Sequence, residues 1–407
     1  NLIPFLTVSL DDLIQCSLAP VEDDECALTI YFGRDAGRRH AHLAEQLFNV
    51  LRLPLLHAHF RRAQGRWRLD RARALNIAEI APHEMETVAQ AARECVGAHA
   101  ARAREPAAQK PTLAILNTPG ATEAPSNPAA LQKFQEAAEA LGMRTAIIGK
   151  HDSRRLPEFD ALFIRDNTNA DHYTYQFARR AALAGIVVID DPDSILKCNN
   201  KVYLAELLNR HRLPAPKTLL VSRENVGQIA PALGLPCVLK QPDSTFSLGV
   251  MKVESKEELE TRADELLGKS ELILAQEYLP TDFDWRIGIL DRRLLFACKY
   301  FMVPGHWQVI QHGEREGFRE GPTEAVPLGQ VPEPILRAAL EAANLIGDGF
   351  YGVDLKQRGR HCYIIEINDN PNVDADNEDG ILKDVLYREV MAVFRKRIEA
   401  RKRSIAS

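Results

Sequence analysis

The sequence contains no CxxC pair, no HExxH and no GxxxxGK[ST]. The first two absences argue against a zinc or disulfide framework, the third against a Walker phosphate loop. Its seven cysteines, at 16, 26, 95, 198, 237, 298 and 362, are scattered and odd in number, a pattern that favours reduced thiols in a cytoplasmic protein. No apolar run reaches the roughly 18 residues of a membrane helix. The opening NLIPFLTVSLDDLIQC lacks the basic region of a signal peptide. Excess charge of one sign is also missing: 51 Lys and Arg stand against 56 Asp and Glu. Neither nucleic acid nor a membrane is therefore an expected partner. What is present, 407 residues with 45 % hydrophobic and 26 % charged, suffices for two to four globular domains.

The most informative stretch is Tyr351–Pro371, YGVDLKQRGRHCYIIEINDNP. Tyr351–Leu355 and Cys362–Ile367 are apolar, and the polar link between them holds Gly359, so the stretch reads as a β-hairpin. Asp354, Glu366 and Asn368 interrupt its apolar character. Glu366 and Asn368 share a strand face, and closure of the hairpin brings Asp354 beside them. Two carboxylates and an amide oxygen form a hard oxygen set of the kind that holds Mg²⁺ against phosphates. Taken alone, the stretch reads equally well as a hairpin with solvent-facing acids.

Upstream, residues 1–107 open with an extended start. They continue with a strand at Ala27–Phe32, a helical stretch at 37–53, a turn at Ala63–Trp67 and a helix from Pro82 to His99. Arg34, Arg38, Arg39, Arg52, Arg61, Arg62, Arg66 and Arg68 form either a solvated face or a docking patch for an acidic partner. Residues 99–111 read as a linker or helix end. From 112 to 190 strands and helices alternate, which implies a parallel sheet covered by helices. Ligands of such sheets bind at the carboxyl ends of the strands, where Arg165–Thr168 and Asp190–Asp191 fall.

Lys201 opens a helix, an unfavourable place for a cation unless a ligand meets it. The strand Pro236–Lys240 ends in a lysine, and the turn-rich Gln241–Gly249 carries Ser244, Thr245 and Ser247 before a return strand. Such a loop reads as an ordinary hairpin or as a cover for phosphates. A strand at Leu272–Leu279 precedes DFDWRIGIL, whose Asp284 and Arg286 share one face. Residues 301–332 are a poorly patterned insertion, and a helix at Ile381–Ile398 closes the chain before a frayed basic tail.

Lys201, Lys240, Gln276–Leu279, Asp284–Arg286 and Asp354 with Glu366 and Asn368 stand in an order that resembles the ATP-grasp superfamily, above all its RimK-type carboxylate–amine ligases. The match spans about residues 112–396, and residues 1–107 resemble the accessory domain found ahead of some RimK-like proteins. The resemblance implies an α/β fold, α+β within the grasp subdomains. It divides the chain into a RimK-like N-terminal domain (1–107), a pre-ATP-grasp α/β domain (112–197), a grasp subdomain with a phosphate lid (198–275) and a second with the metal site (276–400).

The resemblance further implies that Lys201 and Lys240 contact the ATP phosphates and adenine edge, and that the 241–249 lid acts with Ser244 and Ser247. Gln276, Glu277, Tyr278 and Leu279 would line the adenine pocket, and Asp284 would bind ribose. Arg286 would meet the transferred phosphoryl group, Lys299 would assist the γ-phosphate, and Asn370 would lie near the substrate. Asp354, Glu366 and Asn368 would hold one or two Mg²⁺, or Mn²⁺. The lid departs from the family in carrying Phe246 and Leu248 where glycine is usual.

The activity so implied joins a carboxylate of an amino acid, peptide or protein terminus to an amine through an acyl-phosphate. The competing readings are a non-catalytic nucleotide-binding regulatory module and a small-molecule kinase on the same scaffold; a homo-oligomer is left open. Two motifs mislead. Gly347–Gly352 matches GxGxxG but follows a helix and precedes a strand, the reverse of a dinucleotide site. The segment from Asp374 lacks the glycine and the final glutamate of a calcium loop. Its Asp374, Asp376, Glu378 and Asp379 either border the substrate site and orient an amine, or cap the helix that follows.

Overall fold

The computed structural model describes residues 8–51, 53–103, 110–118, 124–242, 249–312 and 318–406. The chain divides into two units, residues 1–109 with 402–407, and residues 110–401. Among the described residues no helix is long and apolar enough to cross a membrane. All seven cysteines are free, and Cys198, Cys237, Cys298 and Cys362 are buried.

In the first unit, α1 (Val8–Leu18), β1 (Glu25–Tyr31), β2 (Arg34–Asp35), α2 (Ala41–Leu51), β3 (Leu55–Ala63), β4 (Arg66–Ala74) and α3 (Met85–Ala103) follow in order. The strands form an antiparallel sheet in the order β2-β1-β3-β4. Helix α1 corrects the extended start expected from sequence. Leu10, Ile14 and Leu18 recur every fourth residue and are buried against Leu43, Leu47, Phe60 and Trp67. Helix α3 also runs to Ala103, past the expected His99. Several of the arginines have acidic partners: Arg34 pairs with Glu94, and Arg61 lies 3.2 Å from Glu25. Arg62 covers the Trp67 ring, and Arg52 lies outside the described residues.

The second unit begins with β5 (Thr112–Leu116), α4 (Pro128–Ala140), β6 (Arg144–Ile148), β7 (Ala161–Ile164), α5 (Tyr173–Leu183) and β8 (Val187–Ile189). These strands pair in parallel in the order β6-β5-β7-β8, as the alternation implied. Next come α6 (Pro192–Asn199), α7 (Lys201–Arg210), β9 (Thr218–Val221), α8 (Ile229–Leu233), β10 (Cys237–Lys240), β11 (Val250–Val253), α9 (Lys256–Leu267) and β12 (Ile273–Glu277). A second, antiparallel sheet runs β11-β10-β12-β9. Its Cys237, Leu239, Ile273 and Ala275 pack on α9 through Leu259 and Ala263.

The third sheet holds β13 (Phe283–Leu290) and β14 (Arg293–Phe301). After the small hairpin β15 (Ile310–His312) and β16 (Phe318–Glu320) come β17 (Thr323–Val326), α10 (Glu333–Ile346), β18 (Phe350–Arg358), β19 (His361–Asp369) and α11 (Asp384–Ala406). The order is β17-β14-β13-β18-β19, all antiparallel. The stretch 301–332 is therefore less irregular than expected, since β17 forms the sheet edge. The basic tail, expected to fray, continues α11 to Ala406. Trp285, Ile287, Val353, Leu355 and Ile367 face α10, which buries Ile335, Ala339, Ala343 and Ile346 against them. At the far end, Phe296 and Phe350 join Phe134 and Phe163 of the parallel domain and Tyr387, Met391 and Phe394 of α11 in one core. Truncating a buried phenylalanine such as Phe394 costs about 3–5 kcal/mol.

Candidate active site

The second and third sheets and the carboxyl end of β7 border one cavity of about 280 Å³. Strand alternation delivers its side chains. On β10, Val238 and Lys240 face the cavity while Cys237 and Leu239 face α9. On β13, Asp284 and Arg286 line it while Trp285 and Ile287 face α10. On β18 and β19, Asp354, Lys356, Glu366 and Asn368 line it in the same way.

The cations cluster at one end. Asn200 caps α7 by accepting the Tyr203 amide at 2.9 Å, which sets Lys201 at the helix start. Its ammonium lies 3.0 Å from Glu366 Oε1, so the unfavourable dipole position is offset by a carboxylate. Lys240 donates to Gln276 Oε1 at 2.8 Å, and Gln276 donates to Thr218 Oγ1 at 2.9 Å. Burial holds the Lys240 ammonium down to about 8; Glu366 opposes this and Lys201 and Lys356 add to it. Lys356 donates to Asp284 Oδ1 at 2.6 Å and to Thr281 Oγ1 at 2.8 Å. Beside them Tyr278 meets Trp307 edge to face at 6.0 Å, and the amide of Lys217 donates to Glu277 Oε1 at 2.8 Å.

Arg286 and Asp354 are cross-strand partners, with Nε to Oδ1 at 2.5 Å and Nη2 to Oδ2 at 2.9 Å. Gly352 makes room for this fork: a Cβ there would lie 2.9 Å from both Arg286 Cδ and Pro371 Cβ. Burial works against the Arg286 charge, but Asp354 outweighs it and holds the guanidinium protonated. Asn368 Nδ2 donates to Asp354 Oδ2 at 3.0 Å. Asp354 and Glu366 are register partners on β18 and β19. Burial disfavours the Glu366 carboxylate, yet Lys201 and Lys240 hold its pKa below the usual value. Among the described residues no three His, Cys, Asp or Glu side chains assemble for a metal. Two carboxylates with Asn368 suit Mg²⁺ once phosphate oxygens complete the shell, because that ion keeps oxygen ligands from water and substrate.

The expected residues do not all converge. Lys299 lies on the other face of β14 from Cys298 and Tyr300. It pairs with Glu324 at 3.3 Å, its ammonium sits over the Phe283 and Trp285 rings, and it is not among the cavity-lining residues. This position gives the γ-phosphate role expected for it no support. Asn370 reaches the cavity wall, as expected of a residue near the substrate. Its Oδ1 accepts from Arg165 at 2.9 Å and its Nδ2 donates to the Asp166 carbonyl at 2.7 Å, which ties the end of β19 to the parallel sheet. Ser244 and Ser247 lie outside the described residues. The stem of their loop is held by the Gln241 amide on the Gly249 carbonyl at 3.1 Å and by the Lys201 amide on the Pro242 carbonyl at 3.0 Å.

Sequence reasoning overlooked Lys356, although it stands two residues after Asp354 and so on the same face. It also overlooked Tyr300 and Asp369. Asp369 lines the cavity beside Asn199, which donates to it at 3.2 Å, and burial pushes its carboxyl up to about 7. Of the acidic segment, Asp379 is fully buried, 2.9 Å from Lys133, and braces the turn before α11. Glu378 is 3 % exposed; it accepts the Asp374 amide at 2.7 Å and the Tyr300 hydroxyl. The Tyr300 ring in turn carries the Arg286 guanidinium 4.8 Å from its centre.

Comparison with known proteins bears on the domains and the fold. Residues 1–91 match the RimK-like ATP-grasp N-terminal domain, and residues 198–384 match the RimK-like ATP-grasp domain. A probable alpha-L-glutamate ligase of Marinomonas sp. (strain MWYL1) is 25 % identical over 254 residues, covering 61 % of this chain and 79 % of that protein. The D-alanine–D-alanine ligase of Bacillus anthracis superposes with a TM-score of 0.56 at 14 % identity, over 72 % of this chain and 99 % of that one. Its complex with ATP gives 0.53 over the same shares, also at 14 % identity. A RimK domain ATP-grasp protein of Sphaerobacter thermophilus gives 0.52 at 17 % identity, over 69 % and 98 %. The fold is thus that of the ATP-grasp proteins, and residues 1–91 and 198–384 of this chain are RimK-like in sequence.

Proposed function

We propose that this chain is an ATP-dependent carboxylate–amine ligase that forms an amide through an acyl-phosphate, with release of ADP and phosphate. The observation that carries this reading is the convergence of Lys201, Lys240, Lys356 and Arg286 with Asp354, Glu366 and Asn368 on one cavity. Four cations neutralise the charge of a triphosphate and of the phosphoryl group in flight, the main electrostatic demand of phosphoryl transfer. Lys201, Lys240 and Lys356 serve the phosphates, Gln276–Leu279 the adenine, Asp284 the ribose and Arg286 the transferred group. The 241–249 segment, with Ser244 and Ser247, covers the phosphates. Asp354, Glu366 and Asn368 would hold Mg²⁺, which would supply positive charge against the phosphates. Acyl-phosphates hydrolyse readily, so exclusion of water by the cover belongs to the same reading.

The substrates proposed are amino acids or peptides. L-Glutamate is the first to test, because a relative is named for it. The divisions 1–107, 112–197, 198–275 and 276–400 are proposed as functional ones. The buried free thiols and the use of ATP suit a reducing compartment, so a cytoplasmic setting is proposed with them.

ADP release measured across carboxylates, with and without amines, tests the reading. ADP together with an amide product is the expected result. No ADP under any pairing overturns it in favour of a regulatory nucleotide-binding module. ADP with a stable phosphorylated product and no need for amine points to a kinase.

A further inference from the structure

The amine half of this reaction poses a problem that the ATP-binding residues do not solve. An amine reaches the enzyme largely as an ammonium, which has no lone pair for attack. A proton acceptor is needed beside the acyl-phosphate, and Lys201, Lys240, Lys356 and Arg286 are all cationic. Asp354 and Glu366 are committed to Arg286 and Lys201.

One acid–hydroxyl pair on the cavity wall stands outside the set assigned to the nucleotide. Tyr300 projects from β14 on the same face as Cys298, and its ring lies under the Arg286 guanidinium at 4.8 Å. Its hydroxyl donates to Glu378 Oε1, and the Asp374 amide donates to Glu378 Oε2 at 2.7 Å. Tyr300, Glu378 and Asp374 all line the cavity. Arg286, assigned above to the transferred phosphoryl group, thus touches this pair. We propose that Tyr300 and Glu378 form the proton relay that deprotonates the incoming amine, with Tyr300 the group that touches it. This rests on the ligase reading above.

The ammonium gives a proton to the Tyr300 oxygen while Tyr300 passes its own to the Glu378 carboxylate. The freed nitrogen lone pair forms the C–N bond, and the acyl C–O bond breaks with its electron pair leaving on phosphate. The second nitrogen proton goes with the departing phosphate. Burial, Glu378 itself and Cys298 raise the Tyr300 pKa against the pull of Arg286, so Tyr300 remains a hydroxyl and acts as a relay. Burial also raises the Glu378 carboxyl, a direction that strengthens it as a base. The charged and titratable groups around Glu378 are Arg286 on β13, Cys298 and Tyr300 on β14, Arg165 after β7, Tyr387 on α11 and Asp374. The two arginines keep the site from accumulating negative charge.

Hydroxylamine supplies the test, because it is unprotonated at neutral pH and needs no base. The full chain, its Tyr300→Phe variant and its Glu378→Gln variant are each given ATP, Mg²⁺ and the standard amino acids with short peptides as carboxylates. The nucleophile is either hydroxylamine or the amino acids themselves. Tyr300→Phe keeps the ring under Arg286 and removes only the hydroxyl. In both variants amide formation should fall by roughly 100-fold or more, while hydroxamate formation falls by less than about 3-fold. The residual amide rate should climb about tenfold per pH unit where the wild-type rate is flat, as the free amine becomes available. Equal losses with both nucleophiles, or an unchanged amide rate in Tyr300→Phe, overturn the relay. Wild-type protein that yields neither hydroxamate nor ADP overturns the ligase reading itself, and the relay with it.

Discussion

Arg286 on β13 and Asp354 on β18 face each other fork to fork, with both nitrogen–oxygen contacts within 2.9 Å and both side chains largely shielded from water. Such a pair is costly to break from one side, because the remaining charge is left buried without a partner. Arg286→Met should therefore lower unfolding stability by about 3–5 kcal/mol. Replacing both, Arg286→Met with Asp354→Leu, should recover much of that loss, since two apolar groups leave no stranded charge. Urea unfolding of the two variants decides it; a double variant as unstable as the single one would contradict the account. Neither should turn over ATP.

Lys240 predicts a dependence on pH. Its ammonium is held down to about 8 by burial, against an unperturbed lysine value near 10.4. Between those values the unfolded chain binds one more proton than the folded one, so this group makes folding more favourable as pH rises through that window. ATP reverses the preference, because its phosphates favour the ammonium. Nucleotide binding should then take up a proton above about pH 8, and affinity should weaken by up to about tenfold per pH unit. Lys240→Met should bind more weakly at neutral pH and lack that slope. Calorimetric titrations from neutral to mildly alkaline pH test the point, and the same slope in Lys240→Met would rule the lysine out as its source.

What the sequence disclosed and what it concealed follow from distance along the chain. Asp284 with Arg286, and Glu366 with Asn368, were legible because period-2 alternation is a local rule. Lys240 was legible as a polar end to an apolar strand. Alternation alone does not say which of two neighbouring residues faces the core. That depends on the pairing register, which turns Tyr300 rather than Lys299 to the cavity. The bonds that hold Asn370 were hidden for another reason. Its partner Arg165, fully buried, lies 205 residues upstream, and no local pattern announces such a contact. For Glu378 the choice between the substrate border and a helix cap stayed open, because its acceptor role depends on a hydroxyl 78 residues away. Helix α1 was lost among charged residues although Leu10, Ile14 and Leu18 carry its spacing.

Among the described residues, the cavity is lined by residues from Asn167 to Glu378, all in the second unit. A protein that starts at Lys110, the boundary of that unit, should therefore keep its affinity for ATP within about 3-fold. Amide formation is the separate readout, because the first unit's contribution to substrate choice is not fixed by the cavity. A well-folded truncated protein that has lost ATP binding would show that residues 1–109 build part of the nucleotide site.

Glu366 tests the metal assignment. It lies 3.0 Å from Lys201, which together with Lys240 keeps it ionised despite burial. A purely structural ion pair and a metal ligand make different predictions for Glu366→Gln. The amide keeps the shape and still accepts from Lys201, so a structural role leaves the Mg²⁺ dependence of turnover where it was. A direct ligand does not: loss of even an outer-shell partner typically costs 10–100-fold in metal affinity, so losing a ligand should shift the Mg²⁺ activation midpoint by at least about 100-fold. Chelation with EDTA should silence the wild type and added Mg²⁺ restore it. Asn368→Ala should shift the midpoint in the same direction by less, since it removes a neutral oxygen from the set. Magnesium titrations that superimpose for wild type and Glu366→Gln would return Asp354, Glu366 and Asn368 to the status of a polar hairpin face.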